Sequence, residues 1–387
     1  MSQPQRPLDR IEDAIEDIKN GKVIIVVDDE DRENEGDFVA AARFATPEMI
    51  NFMATEGRGL ICAPLVEERC ESLGLDLMVS RNNAAYETPF TVSVDLVGHG
   101  CTTGISAADR AKTIQALIDP NIRPDELGRP GHIFPLKARK GGVLRRAGHT
   151  EATIDLARLA GLEPAGVIVE IMNADGTMAR LPELLKMADR LNMRIVSIED
   201  LIAYRIANDT LIQRTGSRQI ETKYGPFTLT SYRQTTDDSE HFALTKGQWD
   251  AETAVPVRMH ASHPQVDILM DAALGKGQTL QRAMERLGDM EFGALVYLQK
   301  PQVSWEDTVQ GGSLHNHPKG ANADVSAAEV ARRQGRAFGL GAQILRDLGI
   351  HRLKLMSDTA TVTKGMTLYG LEITKVISTG LPQDPNL

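Results

Sequence analysis

The sequence predicts an α/β protein of two domains. Short β-branched runs such as Val23-Ile24-Ile25-Val26-Val27 alternate with stretches of helical apolar spacing, and 387 residues exceed one typical core. A third observation is the polar stretch at about 207–219, within IANDTLIQRTGSRQ, which divides the chain into domains over 1–207 and 208–387.

The elements follow in order. Leu8, Ile11, Ile15 and Ile18 recur at helical spacing, and Gly21 supplies a stop before the strand at 23–27. Thr46-Pro47-Glu48 reads as an N-cap, a first-turn proline and an early acid opening a helix over about 47–55. Leu60 to Ala63 and Phe90 to Val94 read as short strands, and Ser106 caps a helix running to about 117. Gly166 to Met172 is a buried strand, Leu181 to Leu191 a helix, and Ile198 to Arg205 another; the strand order is not readable from this pattern. Beyond the boundary, Phe227 to Tyr232 opens the second α/β region. It holds a helix around 265–288, a strand at Gly293 to Leu298, a helix at Ala327 to Leu348 and a strand at Arg352 to Met356. The polar, glycine-rich stretch Lys300 to Asp324 reads as a long mobile loop.

Composition narrows the function classes. A net charge of −10 argues against general nucleic-acid binding, and no apolar run approaches the roughly 20 residues that span a bilayer. The start MSQPQRPLDR lacks a signal-peptide apolar core, and Cys62, Cys70 and Cys101 are too scattered for a disulfide framework, so a cytoplasmic location is expected.

The run Asp28 to Asp37, DDEDRENEGD, packs seven carboxylates with Arg32 and Gly36 directly behind the strand at 23–27. So many carboxylates at a buried strand end repel one another unless cations sit among them, and oxygen ligands suit Mg²⁺ or Mn²⁺. The alternative is a solvated acidic turn. Three further segments carry chemistry. His132 lies in Arg129-Pro130-Gly131-His132-Ile133-Phe134-Pro135, where two prolines and a glycine restrict the backbone. The turn Gly141 to Thr153 runs into a helix beginning near Thr150, a start suited, with Arg146, to a phosphate. Glu170 is a carboxylate inside an apolar strand. Each taken singly is as well explained by a structural role.

Together these segments resemble a known family. RENEGD (32–37), TTGISAADR (102–110), RPGHIFPL (129–136), RAGHTEATIDLARLAG (146–161) and DGTMAR (175–180) resemble 3,4-dihydroxy-2-butanone 4-phosphate synthase, over about residues 8–207. The resemblance implies a mixed sheet flanked by helices, D-ribulose 5-phosphate as substrate, and formate and L-3,4-dihydroxy-2-butanone 4-phosphate as products. It also implies two Mg²⁺ or Mn²⁺ ions and a homodimer with its active sites near the interface. Glu33 and His149 correspond to the metal ligands. Arg32, Glu33, Asp37, Arg146, Ala147, Gly148, His149, Thr150 and Glu170 correspond to substrate-binding positions, and His132, Glu170 and Asp37 to the acid/base groups. Whether Cys62 touches substrate or only packs, and whether Glu35 assists the metals or orients Arg32, stays open.

From about residue 219 the chain resembles GTP cyclohydrolase II, through KYGPFTLTSYR (223–233), EHFALTKG (240–247), VRMH (257–260), FGLGAQILRDLGI (338–350) and LYGLEI (368–373). Here the chemistry departs from that family. No cysteine follows Cys101, so a zinc site of thiolates has no ligands in this half. Tyr297-Leu298 runs into QKPQVSW rather than a glycine–arginine–glycine segment, and Met356-Ser357-Asp358-Thr359-Ala360-Thr361 replaces an asparagine-rich turn. The expectation is a metal-dependent lyase with a folded, disarmed second domain that holds no zinc. The alternative is a bifunctional enzyme that also opens GTP. His260, His263, His315 and His317 leave room for a different metal site, against a plain surface role for the last two.

Overall fold

The computed structural model describes residues 7–30, 32–84, 86, 88–262, 267, 279–299, 339–357 and 371–379. It divides into two compact units, Met1–Arg205 and Ile206–Leu387, each built on a seven-stranded mixed sheet. No helix among the described residues is long and apolar enough to cross a membrane.

In the first unit the elements run α1 (Ile11–Lys19), β1 (Ile24–Val27), β2 (Gly36–Ala41), α2 (Pro47–Phe52), β3 (Cys62–Leu65), α3 (Glu67–Ser72), β4 (Val94–Leu96), α4 (Ala107–Ile118), β5 (Leu127–Lys137), α5 (His149–Leu159), β6 (Gly166–Glu170), α6 (Leu181–Leu191), β7 (Ile195–Ser197) and α7 (Ile198–Asn208). The sheet order is β4-β5-β3-β6-β2-β1-β7, with β1 parallel to β7 and antiparallel to β2, and β2 antiparallel to β6. The continuous apolar run of β1 has a direct cause. Ile25 and Val27 enter one core with Phe38, Ala63 and Val169, while Ile24 and Val26 enter another with Val39, Cys62 and Ile168. Helices cover both faces, so every residue of β1 is buried. α1, α5 and α7 contribute to the second core, and that face carries the site.

Three expectations shift. The residues Leu60 and Ile61 precede the strand, which covers Cys62–Leu65. Phe90 and Thr91 form only isolated bridges, and the strand is Val94–Leu96. The proline-bearing stretch around His132 belongs to β5, whose pairing with β4 jumps: Val94 faces Ile133, but Asp95 faces Gly128. The four residues 129–132 bulge out opposite Asp95, which hides the strand from periodicity.

The second unit comprises β8 (Ile212–Thr222), β9 (Gly225–Gln234), β10 (Glu240–Lys246), β11 (Ala254–Ala261), α8 (Thr279–Asp289), β12 (Gly293–Leu298), a helix over 339–347, β13 (Arg352–Met356) and β14 (Glu372–Ile377). Its order is β14-β13-β11-β12-β10-β9-β8. The polar stretch after residue 211 is therefore a strand, not a linker. β8 pairs only with β9 and exposes residues 213–219, so it carries no hydrophobic alternation. The stretch Lys300 to Asp324, the first part of the helices placed at 265–288 and 327–348, and His263, His315 and His317 lie outside the described residues.

Candidate active site

The carboxylates converge through strand register. Asp37 on β2 faces Glu170 on β6 directly. Side chains alternate along strands, so Asp37 shares the face of Val39 and Glu170 that of Ile168, both in the core beneath α5. The β3 partner Cys62 lies on the same face, buried, with its thiol pushed up by burial and by the charges of Glu170 and Asp37. Its side chain is part of the second core.

His149 opens α5 and is 6% exposed. Its Nε2 lies 3.2 Å from the Val26 carbonyl oxygen, which can only accept, so Nε2 carries a proton. Nδ1 is left facing Glu33 Oε2 at 3.7 Å and Asp37 Oδ1 at 3.9 Å. An imidazole with one nitrogen anchored on a backbone carbonyl and the other presented to carboxylates is oriented as metal ligands are. Donor atoms of Asp28, Glu33 and His149 lie within 4.8 Å of one another, the one such group among the described residues.

Asp28 organises this loop. Its Oδ1 accepts from the Glu35 amide at 2.8 Å, and its Oδ2 from the Glu33 amide at 3.0 Å and from Arg32 Nη1 at 2.8 Å. Arg32 also donates to Glu33 Oε2 at 2.7 Å, stacks on the Tyr86 ring at 5.2 Å, and accepts the Tyr86 hydroxyl on its carbonyl. Arg180 donates to the carbonyls of Glu33 and Asn34, bracing the turn in which Asn34 is left-handed. Glu35 is close to Arg180, at 4.0 Å, rather than to Arg32.

The electrostatics follow from burial against charge. For Glu33, burial works upward, but His149 and Arg32 overcome it and hold the carboxyl at about 2. Asp37 is pushed up to about 7, by burial first and then by Glu170 and Glu33, with His149 pulling the other way. His149 would be lowered by burial, yet Asp37 and Glu33 raise it to about 9. Glu33 is thus held charged beside an imidazole and a carboxyl that both keep their protons to higher pH than usual.

Arg146 lies in the turn before α5. Its Nη1 donates to Glu151 Oε2 at 2.7 Å, and Nη2 reaches the Tyr86 carbonyl at 3.2 Å and Thr88 Oγ1 at 3.3 Å. Glu151 is fully buried and also accepts from the Arg139 amide at 3.0 Å. Ala147 packs on the core, Gly148 is the N-cap without a side-chain cap bond, and Thr150 is buried in the first turn. A Cβ on Gly148 would lie 2.4 Å from Arg146 Nη1, so glycine is required for the guanidinium to cross there.

Glu170 accepts the Leu60 amide on Oε2 at 2.8 Å, and Gly59 admits it, because a Cβ there would lie 2.5 Å from that oxygen. His132 is not joined to this cluster by any described contact. It is half-exposed and bonded to Asp95, through Nδ1 at 2.6 Å and through its amide at 2.8 Å. Asp28, Glu151 and Arg180 thus brace this cluster and Asp95 holds His132; none of the four is among the candidate ligand, substrate-binding or acid/base positions named from the sequence.

In the second unit, His260 Nε2 bonds Asp267 Oδ1 at 2.8 Å, and the Tyr297 hydroxyl donates to Asp267 Oδ2 at 2.9 Å while its ring stacks on His260.

Comparison with known proteins agrees with this division. The family model for 3,4-dihydroxy-2-butanone 4-phosphate synthase matches residues 12–204, and that for GTP cyclohydrolase II matches 213–378. The riboflavin biosynthesis protein RibBA of Cytophaga hutchinsonii is 49% identical, covering 99% of this chain and 95% of that protein. RibBA of Porphyromonas gingivalis is 46% identical over 96% of this chain and 92% of its own. Among solved structures, RibBX of A. baumannii, described as a two-domain 3,4-dihydroxy-2-butanone 4-phosphate synthase, matches with a TM-score of 0.71 at 40% identity, over 96% of this chain and 99% of that one. A 3,4-dihydroxy-2-butanone 4-phosphate synthase in complex with two magnesium ions matches with a TM-score of 0.50 at 43% identity, over 52% of this chain and 99% of that one. The chain therefore belongs to the RibBA family of riboflavin biosynthesis enzymes, a lyase with a 3,4-dihydroxy-2-butanone 4-phosphate synthase region followed by a GTP cyclohydrolase II-like region.

Proposed function

We propose that the first domain, residues 1–207, converts D-ribulose 5-phosphate into L-3,4-dihydroxy-2-butanone 4-phosphate and formate, using Mg²⁺ or Mn²⁺, and that the second, 208–387, no longer opens GTP. The observation that carries the first part is the Glu33–His149 pair, with Nδ1 of His149 turned to the carboxylates and the Asp37–Glu170 pair beside it. The donor set of carboxylate oxygen and imidazole nitrogen fits a divalent ion. Glu33 and His149 are its ligands, with Asp28 holding the loop: both Asp28 oxygens accept backbone amides, whereas the second Glu33 oxygen, Oε1, has no described bond. A bound divalent ion supplies Lewis-acid stabilisation of negative charge on adjacent substrate oxygens.

The chain's own groups supply the rest. Arg146 and the first turn of α5 receive the phosphate, with Ala147, Gly148 and Thr150 forming the wall. Arg32 screens the Asp28 and Glu33 charges and binds substrate oxygens from the Tyr86 side. Asp37, near 7, exchanges protons close to neutral pH, and Glu170 opposite it receives or returns a second proton. His132, on β5, serves as a further acid/base group. Exposed apolar side chains at Leu77, Met78, Val79, Val97 and Ile105 support a homodimer formed on the β4 side of the first unit. Three free cysteines support a cytoplasmic setting.

For the second domain, the lack of any cysteine beyond Cys101 supports loss of the zinc chemistry, and His260 is already bonded to Asp267. The family match over 213–378 favours the rival bifunctional reading. Formate release settles both. Formate from ribulose 5-phosphate with Mg²⁺, and none from GTP in protein free of zinc, is the expected result. GTP-dependent formate together with stoichiometric zinc would establish the rival.

A further inference from the structure

The bulge in β5 exists around one carboxylate. Where Val94 faces Ile133 and Asp95 faces Gly128, residues 129–132 lose the β4 ladder, and the His132 amide goes instead to Asp95 Oδ1 at 2.8 Å. The Gly131 amide goes to Ser93 Oγ at 3.1 Å. The second oxygen, Oδ2, meets His132 Nδ1 at 2.6 Å. Over Asp95 lies the turn of TTGISAADR: Gly104 has φ +88°, and a Cβ there would lie 2.1 Å from Asp95 Oδ2. That turn is held by Asp109, which accepts from the Thr102 amide, the Thr102 hydroxyl and the Gly104 amide. Asp95 is consequently 18% exposed in its side chain while His132 is 44% exposed. The carboxylate is enclosed and the ring is presented.

We propose that Asp95 is a positioning residue for His132, fixing both the ring's direction and its tautomer. This rests on the reading of His132 as an acid/base group. A carboxylate only accepts, so it holds the proton of the neutral imidazole on Nδ1 and leaves the lone pair on Nε2, the nitrogen that does not face Asp95. His132 then takes a proton from a carbon beside the substrate carbonyl at Nε2, becomes an imidazolium paired with Asp95, and returns the same proton to a later carbon. No proton passes to Asp95, and none is gained or lost over the cycle. Bonding the His132 amide and ring with one carboxylate makes the bulge and the tautomer a single device. The same residue on a regular strand would have its amide in the ladder and its ring free to rotate.

Asp95→Asn in the full chain with Mg²⁺ is the test. Asparagine keeps an oxygen for the His132 amide but offers N–H groups to Nδ1, which moves the neutral ring's proton to Nε2. Expected are a fall in kcat of about 10²-fold or more, in the range of acid/base losses, and a KM for ribulose 5-phosphate within about twofold. ¹⁵N NMR of labelled histidine should show the neutral His132 proton on Nδ1 in the wild type and on Nε2 in the variant. On a His132→Asn background the second change should add little, since both act through one ring. Wild-type kcat in Asp95→Asn, a wild-type ring protonated on Nε2, or losses that multiply in the double variant would each overturn the assignment. The underlying reading fails separately, if His132→Asn alone remains active.

Discussion

His149 in the first unit and His260 in the second both face carboxylates from buried positions, and the two surroundings are opposites. His260 has a 2.8 Å bond to Asp267, whose other oxygen is taken by Tyr297 at 2.9 Å. That network is closed. His149 is anchored by Nε2 on a carbonyl, while its Nδ1 has carboxylate neighbours only at 3.7 and 3.9 Å. Those lengths are ion-pair contacts rather than hydrogen bonds, so the imidazole Nδ1 faces the carboxylates without being bonded to them. The same residue types thus build a fastening in one unit and, in the other, the cluster for which we propose a ligand site. What separates them is whether the polar atoms consume one another's capacity.

The largest break in that contrast comes from removing a ligand. Glu33→Gln should lower kcat by roughly 10³-fold or more, because a bound cation stabilises transition-state charge by several kcal/mol. Metal stoichiometry by mass spectrometry should fall with it, while His260→Gln leaves formate release unchanged. Equal losses in the two variants would erase the distinction.

Next in size is the proposed phosphate wall. Glu151 fixes Arg146 through a 2.7 Å charge-assisted bond from a fully buried position. Glu151→Gln removes that charge, so KM for ribulose 5-phosphate should rise roughly 10- to 100-fold, the equivalent of one bond to a charged group, with a smaller fall in kcat. Steady-state kinetics with inorganic phosphate as competitor would check it. An unchanged inhibition constant for phosphate places the phosphate elsewhere.

How much of this was legible in the chain depends on what buries each residue. β1 is readable because both its faces enter cores, and α6 because its helical apolar stripe runs unbroken over Leu181–Leu191. β8 is not readable, because residues 213–219 are exposed among the described residues and a strand exposed on both sides has no alternation to show. β5 is hidden by its own bulge. At the site, the acidic run and the α5 turn can be found locally, but the facing of Asp37 and Glu170 depends on sheet order, which no local pattern encodes. The signal that marks Glu170, a carboxylate within an apolar run, is equally present at Asp95 in Val92-Ser93-Val94-Asp95-Leu96-Val97, where it identifies the partner of His132. Glu151 carries no such mark, since an acid in the first turn of a helix is ordinary.

A smaller effect sharpens the comparison through pH. In the metal-free protein His149 stands at about 9 against an ordinary 6.5, and Asp37 at about 7 against 3.8. Both are raised, so each contribution is present in full below the ordinary value and lost as pH rises through the folded one. The metal-free first unit should lose stability between about pH 4 and 9. Glu33, held at about 2 against an ordinary 4.5, acts in the opposite sense: its contribution is present in full above the ordinary value and is lost as pH falls through about 2. Since a cation replaces the His149 proton, Mg²⁺ should bind more tightly as pH rises toward 9. Thermal melts with and without Mg²⁺ should show a stabilisation several degrees larger at pH 9 than at pH 6.5. A pH-independent increment would mean that His149 is not a ligand.

The smallest effect belongs to the closed cluster. Tyr297→Phe removes the donor to Asp267 Oδ2 without altering the ring that stacks on His260. Asp267 Oδ2 loses one charge-assisted hydrogen bond, which costs about 1–3 kcal/mol locally. Because the chain has two units, a single unfolding midpoint is the wrong measure. Hydrogen exchange of β11 and β12 amides, which carry His260 and Tyr297, reads the loss where it occurs. Faster exchange should be confined to that sheet, with kcat, KM and Mg²⁺ dependence of the synthase unchanged. A fastening can be loosened without touching chemistry; a ligand site cannot. If Tyr297→Phe slowed formate release, the second cluster would have to act on the first, and the division into a reactive and a satisfied centre would fall.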